Sequence, residues 1–333
     1  MIELKDLYSN ILSGLHTELP DLTMGKKLIV NVAPTGAFTN RQQNPKQPYT
    51  MAENVNAAVD AYKAGAAVWH CHAREADGIP SKDPVAVKET IDRVLDQCPD
   101  IVTSVIAYAD YDKQGVEQIR PTVELLCKAG PAYMQTSPLV IKTTSLNEKY
   151  TYVINQEILS EVTKFLEDHG VRPEFQSDCY TSQRNVEEWL IKTGISRTPA
   201  IINIMAGFHG YGFASPANED PWKFMYLASI LQSLPKGAVH GVCAGGRNWM
   251  PLTAFAILCG VDMVRVGMED CLYVHPHEDT MLQTSAEAVK MVVDFARLCG
   301  RDIATPDEAR EILGVRPMAH SRGKATADKS RVA

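Results

Sequence analysis

From Lys27 onward, short β-rich apolar runs alternate with longer helical stretches, and this alternation restricts the chain to parallel strands joined by helical crossovers. Eight runs qualify as strands: 28–34, 66–73, 101–107, 132–137, 173–178, 200–206, 239–244 and 261–267. Between them, apolar residues at helical spacing predict helices over 52–64, 83–97, 116–128, 156–169, 221–234 and 251–258. Two of these stretches run into Gly65 and Gly260 just ahead of the next strand, where a left-handed residue would end the helix. Eight βα units predict a (β/α)8 TIM barrel occupying residues 27–315 as one catalytic domain. An open doubly wound sheet is the alternative, because closure is not written in local sequence. Residues 1–26 carry a weaker helical pattern and are expected to form an N-terminal extension across one end of the barrel. Residues 316–333 are polar and basic, which predicts a flexible tail.

Composition excludes several classes. The formal net charge is −7 and the basic residues are scattered, so a nucleic-acid partner is not expected. No apolar run reaches the roughly 18 residues of a membrane span, and charged residues interrupt the first fourteen positions where a signal peptide needs a continuous apolar core. The eight cysteines lie far apart without a Cys-x-x-Cys pair, consistent with reduced thiols and a cytoplasmic location.

The strongest chemical signal is His70-Cys71-His72 at the carboxyl end of the second predicted strand. Residues i and i+2 of a strand share a face, so both imidazoles would point into the barrel mouth, where such folds keep their chemistry. Catalytic zinc takes about three protein ligands and keeps a position open. Two hydrogen-bonded core histidines are the plain alternative. The eighth predicted strand offers a third ligand: alternation puts Arg265, Gly267 and Glu269 on one face, with Asp270 starting the loop. Glu269 could complete a His2Glu site, leaving Arg265 and Asp270 as a charge pair available for proton transfer. A structural salt bridge is the alternative for the acids. Arg265 inside a valine-rich strand needs an acidic partner in any case. A second pair, His275-Pro276-His277, competes for the metal, but its proline breaks strand geometry. His209, in the glycine-rich loop after the sixth strand, is either a ligand contact or a solvated turn residue.

Taken together, Thr35-Gly36-Ala37, Ala64-Gly65-Ala66, His70-x-His72-x-Arg74, Asp77-Gly78, Arg247, Pro251, Arg265-x-Gly267-x-Glu269-Asp270 and the closing Gly300-Arg301, Ala304-Thr305-Pro306 and Ala309-Arg310-Glu311 resemble the β-keto acid cleavage enzymes, the family typified by 3-keto-5-aminohexanoate cleavage enzyme. The resemblance covers residues 27–315 and implies a zinc-bearing barrel that converts a small β-keto acid and acetyl-CoA into acetoacetate and a new acyl-CoA. By motif position it implies His70, His72 and Glu269 as Zn2+ ligands and Asp270 as the base, oriented by Arg265. It further implies Thr35, Phe38, Arg74, Gln135, Ser137 and Arg247 as substrate contacts, and a homo-oligomer, specifically a tetramer.

Three positions depart from the family pattern. Phe38 stands where the typical member has a glutamate for its substrate's amine, Ile106 and Ala107 replace a Ser-Thr pair, and Gln135 replaces a threonine beside Thr136 and Ser137. Losing the anionic partner argues against a primary-ammonium substrate, and an aromatic ring suits an apolar or quaternary-ammonium group. Another metal-dependent TIM-barrel lyase or hydrolase is the competing enzyme. A non-catalytic metabolite-binding barrel is the competing non-enzyme, against which Arg265 and Asp270 speak, since a pure binder needs no base.

Overall fold

In chain order the elements are β1 (Ile29–Val32), α1 (Met51–Lys63), β2 (Val68–Cys71), α2 (Pro84–Leu95), β3 (Val102–Ile106), α3 (Val116–Lys128), β4 (Tyr133–Thr136), β5 (Ile141–Thr143), β6 (Thr151–Val153), α4 (Gln156–Asp168), β7 (Arg172–Ser177), α5 (Tyr180–Asn185), β8 (Ile201–Ala206), α6 (Pro221–Gln232), β9 (Val239–Ala244), α7 (Trp249–Leu258), β10 (Met263–Val266), α8 (Ser285–Leu298) and α9 (Pro306–Leu313). This computed structural model describes residues 23–36, 39–81, 83–106, 116–136, 141–143, 151–153, 156–177, 179–207 and 221–316. The expected tail beyond Arg316 and all but the last four residues of the expected N-terminal extension lie outside the described residues.

Eight parallel strands close into a barrel in the order β1-β10-β9-β8-β7-β4-β3-β2, which excludes the open sheet. Closure is made where β1 pairs β10, with Asn31 opposite Arg265 and Val32 opposite Val266, and β1 pairs β2 on its other edge. Glu269, just past β10, is thereby brought within one strand of His70 and His72. All eight predicted strands occur, each within two residues at both its start and its end. A two-stranded antiparallel hairpin, β5 with β6, and the helices α5, α8 and α9 are additions to the predicted elements. Helix α5 continues into a π-helical stretch, Val186–Ile191.

Helix ends follow local chemistry. Thr50 and Glu53 cap α1 reciprocally, Asp83 caps α2 ahead of Pro84, and Thr305 with Glu308 caps α9 ahead of Pro306. Gly65 and Gly260 have positive φ, as expected of residues following a helix end.

Two apolar layers result. The outer one packs the helices on the barrel and includes Val30, Val32, Trp69, Phe175, Ile202 and Val264, all fully buried. The inner one fills the amino-terminal half of the barrel with Ile29, Val68, Val102, Ile201, Val239 and Met263, and α9 closes it with Ala309 and Leu313. Each such side chain contributes roughly 1.5–3 kcal/mol by burial. Among the described residues, no helix is long and apolar enough to cross a membrane.

Candidate active site

His70 on β2 and His72, one residue past its end, are both buried and stand side by side. The Nε2 atoms of the two rings lie 3.1 Å apart, and His72 Nε2 lies 3.1 Å from Glu269 Oε1. One donor atom from each of the three residues lies within 4.8 Å of the others, close enough to hold one metal ion. The other oxygen, Glu269 Oε2, is buried without a hydrogen-bond partner among the described residues. A buried carboxylate oxygen left in this state is costly. Two imidazoles and a carboxylate form the His2Glu donor set of catalytic zinc, and the unpartnered oxygen is free to serve as a ligand atom. The residues present therefore fit a divalent metal.

Their ionisation suits the same role. Burial, reinforced by the charge of Arg265, pushes the His70 imidazole well below its ordinary value and keeps it neutral. Burial acts to raise the Glu269 carboxyl, but Arg265 and His72 outweigh it and hold the group well below the usual carboxylate range.

Glu269 does not reach the site by strand alternation. β10 ends at Val266, and Gly267 adopts φ +141° where a side chain would strike the backbone of Ala33. A tight turn follows, in which the amide groups of Asp270 and Cys271 both bond Gly267 O at 3.0 Å. That turn, not the pleat, presents Glu269 and Asp270 together.

Arg265, on β10, is fully buried and grips Asp270 with two parallel bonds, Nε to Oδ2 at 2.9 Å and Nη2 to Oδ1 at 2.7 Å, while Nη2 also lies 3.0 Å from Glu269 Oε1. The expected acidic partner of this arginine is thus Asp270, with Glu269 as a second. Burial pushes the Asp270 carboxyl up to about 6, against the opposing pull of Arg265. Cys243, at the end of β9, is held as a thiol by burial and hydrogen-bonds Asp270. Removing one member of such a buried charge network typically costs about 3–5 kcal/mol.

The turn after β1 covers the cluster. A Cβ on Gly36 would fall inside the side chain of Glu269, so only glycine lets the backbone pass so close. Arg74, buried, holds this turn down by donating to Thr35 Oγ and to Gly36 O at 2.8 Å, and to Gly78 O at 3.1 Å. Thr35 in turn donates to Pro48 O at 3.2 Å.

The remaining expected contacts are distributed differently. Arg247 stacks over Tyr273 at 3.7 Å and bonds Glu278 O and Asp279, so the structure joins it to the loop after β10 and not to His70 or His72. His275 and His277 stand in that same loop and are not part of the three-residue cluster. Phe38, Ser137 and His209 lie outside the described residues, as does the side chain of Gln135, whose backbone belongs to β4. Tyr133, expected from the sequence as an aromatic neighbour of the substrate, is fully buried with its hydroxyl accepting from Asn31, and sequence reasoning missed Cys243, Ser104 and Glu174. The signal for the last two was a polar residue sharing a strand face with the residue two positions before it, Ser104 with Val102 and Glu174 with Arg172, and which face points inward is fixed only by the register.

A closed parallel barrel carrying a His2Glu donor set beside a buried Arg–Asp pair at the carboxyl ends of its strands defines a metal-capable barrel enzyme. The beta-keto acid cleavage enzyme family model matches residues 27–315, and the chain belongs to that family, whose members cleave carbon–carbon bonds by acyl transfer. A 3-keto-5-aminohexanoate cleavage enzyme of Acetoanaerobium sticklandii is 31% identical over 87% of this chain and 99% of its own length. A 3,5-dioxohexanoate:acetyl-CoA acetone transferase of Paraburkholderia graminis is 26% identical over 89% of this chain and 98% of its own. Among solved structures, apo ObcA superposes with a TM-score of 0.66 at 17% identity, over 81% of this chain; this chain spans 66% of that longer one, and the likeness speaks to the fold.

Proposed function

We propose that this enzyme is zinc-dependent and condenses a β-keto acid with acetyl-CoA, releasing acetoacetate and the acyl-CoA of the remaining fragment. The observation that carries the reading is the orphaned Glu269 Oε2 in a His2Glu cluster, one residue from an Asp270 that Arg265 holds by both oxygens. Zinc held by His70, His72 and Glu269 would supply Lewis-acid polarisation of the substrate's keto and carboxylate oxygens. Asp270 takes the proton from the carbon between those two groups, and Arg265 holds its carboxylate in place for that transfer. The carbon so exposed bonds to the acetyl carbonyl carbon, and the thioester bond breaks to release the CoA thiolate. The thiolate then attacks the original keto carbon, the bond between that carbon and the former proton-bearing carbon breaks with its electron pair left on the latter, and Asp270 returns its proton there to give acetoacetate, which conserves every atom of both substrates. Acetyl-CoA enters from the family resemblance and from the name of the Paraburkholderia relative.

Phe38, Gln135 and Ser137 are assigned to the substrate's variable end, and the absence of an anionic residue at position 38 favours an acid with an apolar or quaternary-ammonium end over one with a primary amine. Thr35 and Arg74 act on the substrate side through the turn over Glu269, and Arg247 through the loop it grips. The enzyme is assigned to the cytoplasm on its eight free cysteines, and to a homo-oligomer, a tetramer, on the resemblance.

The test is metal analysis combined with a panel of β-keto acids and acetyl-CoA, following acetoacetate by mass spectrometry. Zinc at one equivalent with acetoacetate from at least one neutral or quaternary-ammonium acid is expected. A fully metallated enzyme that makes no acetoacetate from any acid defeats the reading.

A further inference from the structure

Barrel interiors are ordinarily filled with branched apolar side chains. Between the apolar floor and the histidine cluster, this barrel instead buries Asn31, His70, Ser104, Glu174, Asn203 and Arg265. Four polar groups, all completely buried, link up there. His70 Nδ1 lies 2.8 Å from Ser104 Oγ, its partner across the β2–β3 pairing. Ser104 bonds the hydroxyl of Tyr133, its partner across β3–β4, and Tyr133 bonds Glu174 on β7. Side bonds brace the line: Asn31 Nδ2 donates to the Tyr133 hydroxyl at 3.0 Å and Asn203 Nδ2 to Glu174 Oε1 at 3.2 Å. Gly241, opposite Asn203 across β8–β9, leaves the space that Asn203 occupies.

Proton counting gives this line a direction. Taken as a carboxylate, the state in which its charge bears on Tyr133, Glu174 only accepts, so Tyr133 spends its single hydroxyl proton on it. Tyr133 can then only accept from Ser104, and Ser104, its own proton spent, can only accept from His70. The reverse arrangement, with Ser104 donating to His70, would require Tyr133 to donate twice.

We propose that Glu174 is buried as a carboxylate and that, with Tyr133 and Ser104, it forms a directional hydrogen-bond chain that holds His70 as the Nδ1–H tautomer and so aims its Nε2 lone pair at the metal. Glu174 is then a positioning residue acting on a ligand three hydrogen bonds away. The consequence for metal binding rests on the proposed metal reading, whereas the tautomer itself does not. Groups that orient a ligating histidine through its second nitrogen typically change metal affinity about 10- to 100-fold when removed.

The experiment is nitrogen NMR of the metal-free protein labelled in its histidines, with the His70 signals assigned by comparison with His70→Gln, together with zinc affinity by chelator competition. The wild type is expected to show His70 protonated on Nδ1. Glu174→Gln replaces the acceptor-only terminus with a group that can also donate, and is expected to give a mixture of tautomers and a roughly 10- to 100-fold weaker zinc affinity. Ser104→Ala is expected to weaken zinc to the same degree and Ser104→Thr to restore it. An Nε2–H tautomer in the wild type overturns the proposal, as does zinc affinity within about threefold of wild type in both Ser104→Ala and Glu174→Gln. A variant that fails to fold does not leave the matter open, because the wild-type tautomer is read without substitution. If the wild type binds no zinc, the metal reading fails while the tautomer still decides the chain.

Discussion

Gly36→Ala isolates the contact between the β1 turn and the third member of the cluster. Gly36 does not have positive φ, so alanine is permitted by the backbone and the perturbation is steric alone. The new methyl group would overlap Glu269 Cδ, Cγ and Oε1. Non-bonded carbons settle at about 3.5–4.0 Å, so restoring contact distance requires a relative movement of more than about 1 Å. The turn cannot easily yield, because Arg74 bonds both Thr35 and Gly36. The Glu269 carboxylate must move instead, away from His72 and out of its 3.0 Å contact with Arg265. Disturbing the setting of a metal ligand typically costs up to about 100-fold in metal affinity. Zinc affinity is therefore expected to fall by about 100-fold, equivalent to ~2.8 kcal/mol. Overpacking adds about 1–3 kcal/mol of destabilisation. Chelator competition measures the first and thermal unfolding of the metal-free protein the second. A folded variant that retains zinc affinity within about threefold would show that the turn does not constrain Glu269, and the steric reasoning would be wrong.

His72→Ala should abolish stoichiometric zinc while the His275→Ala, His277→Ala double variant keeps it; full occupancy without His72 would move the site elsewhere. Asp270→Asn should retain zinc yet lose roughly 10²–10⁴-fold in turnover, the usual worth of a positioned base, and undiminished activity would remove Asp270 from the mechanism. Thr305→Ala deletes the cap of α9, which closes the floor of the barrel, and should cost about 1 kcal/mol in thermal stability with no change in zinc binding. The Tyr62 hydroxyl donates to Asp100 at 2.8 Å, and burial together with that carboxylate pushes its pKa up to about 12. A value raised on folding means its contribution is complete below the unfolded pKa near ~10 and is lost as pH climbs through about 12. Asp100→Asn should shift part of the alkaline tyrosine absorbance titration to lower pH, and a superimposable curve would exclude Asp100 as the cause.

Much of the barrel was legible because its determinants are local. β-branched runs, caps such as Thr50 with Glu53, and glycines after helices act within a few residues of themselves, so eight strands and six helices could be read in order. Helices α8 and α9 were legible in principle from their Thr284 and Thr305 caps. The i, i+2 spacing of His70 and His72 likewise predicts a shared face wherever a strand forms.

The same local logic placed Glu269 in the right cluster by the wrong route. Alternation was extended past Val266, whereas the strand stops there because Gly267 must pass the backbone of Ala33, a neighbour 234 positions away in sequence. Arg74 and Arg247 carried motif positions but no direction, and only packing turned one onto the β1 turn and the other onto Tyr273.

By itself, then, the sequence determined the repeating βα units, the pair of histidines sharing one strand face, and the need of Arg265 for an acid. Tertiary structure decided that the sheet closes, that Glu269 meets those histidines, and that Ser104, Tyr133 and Glu174 line up beneath them. The reason is that strand pairing between β1 and β10 is a non-local contact whose register depends on the whole circuit of strands, and every distance across the barrel is set by that closure.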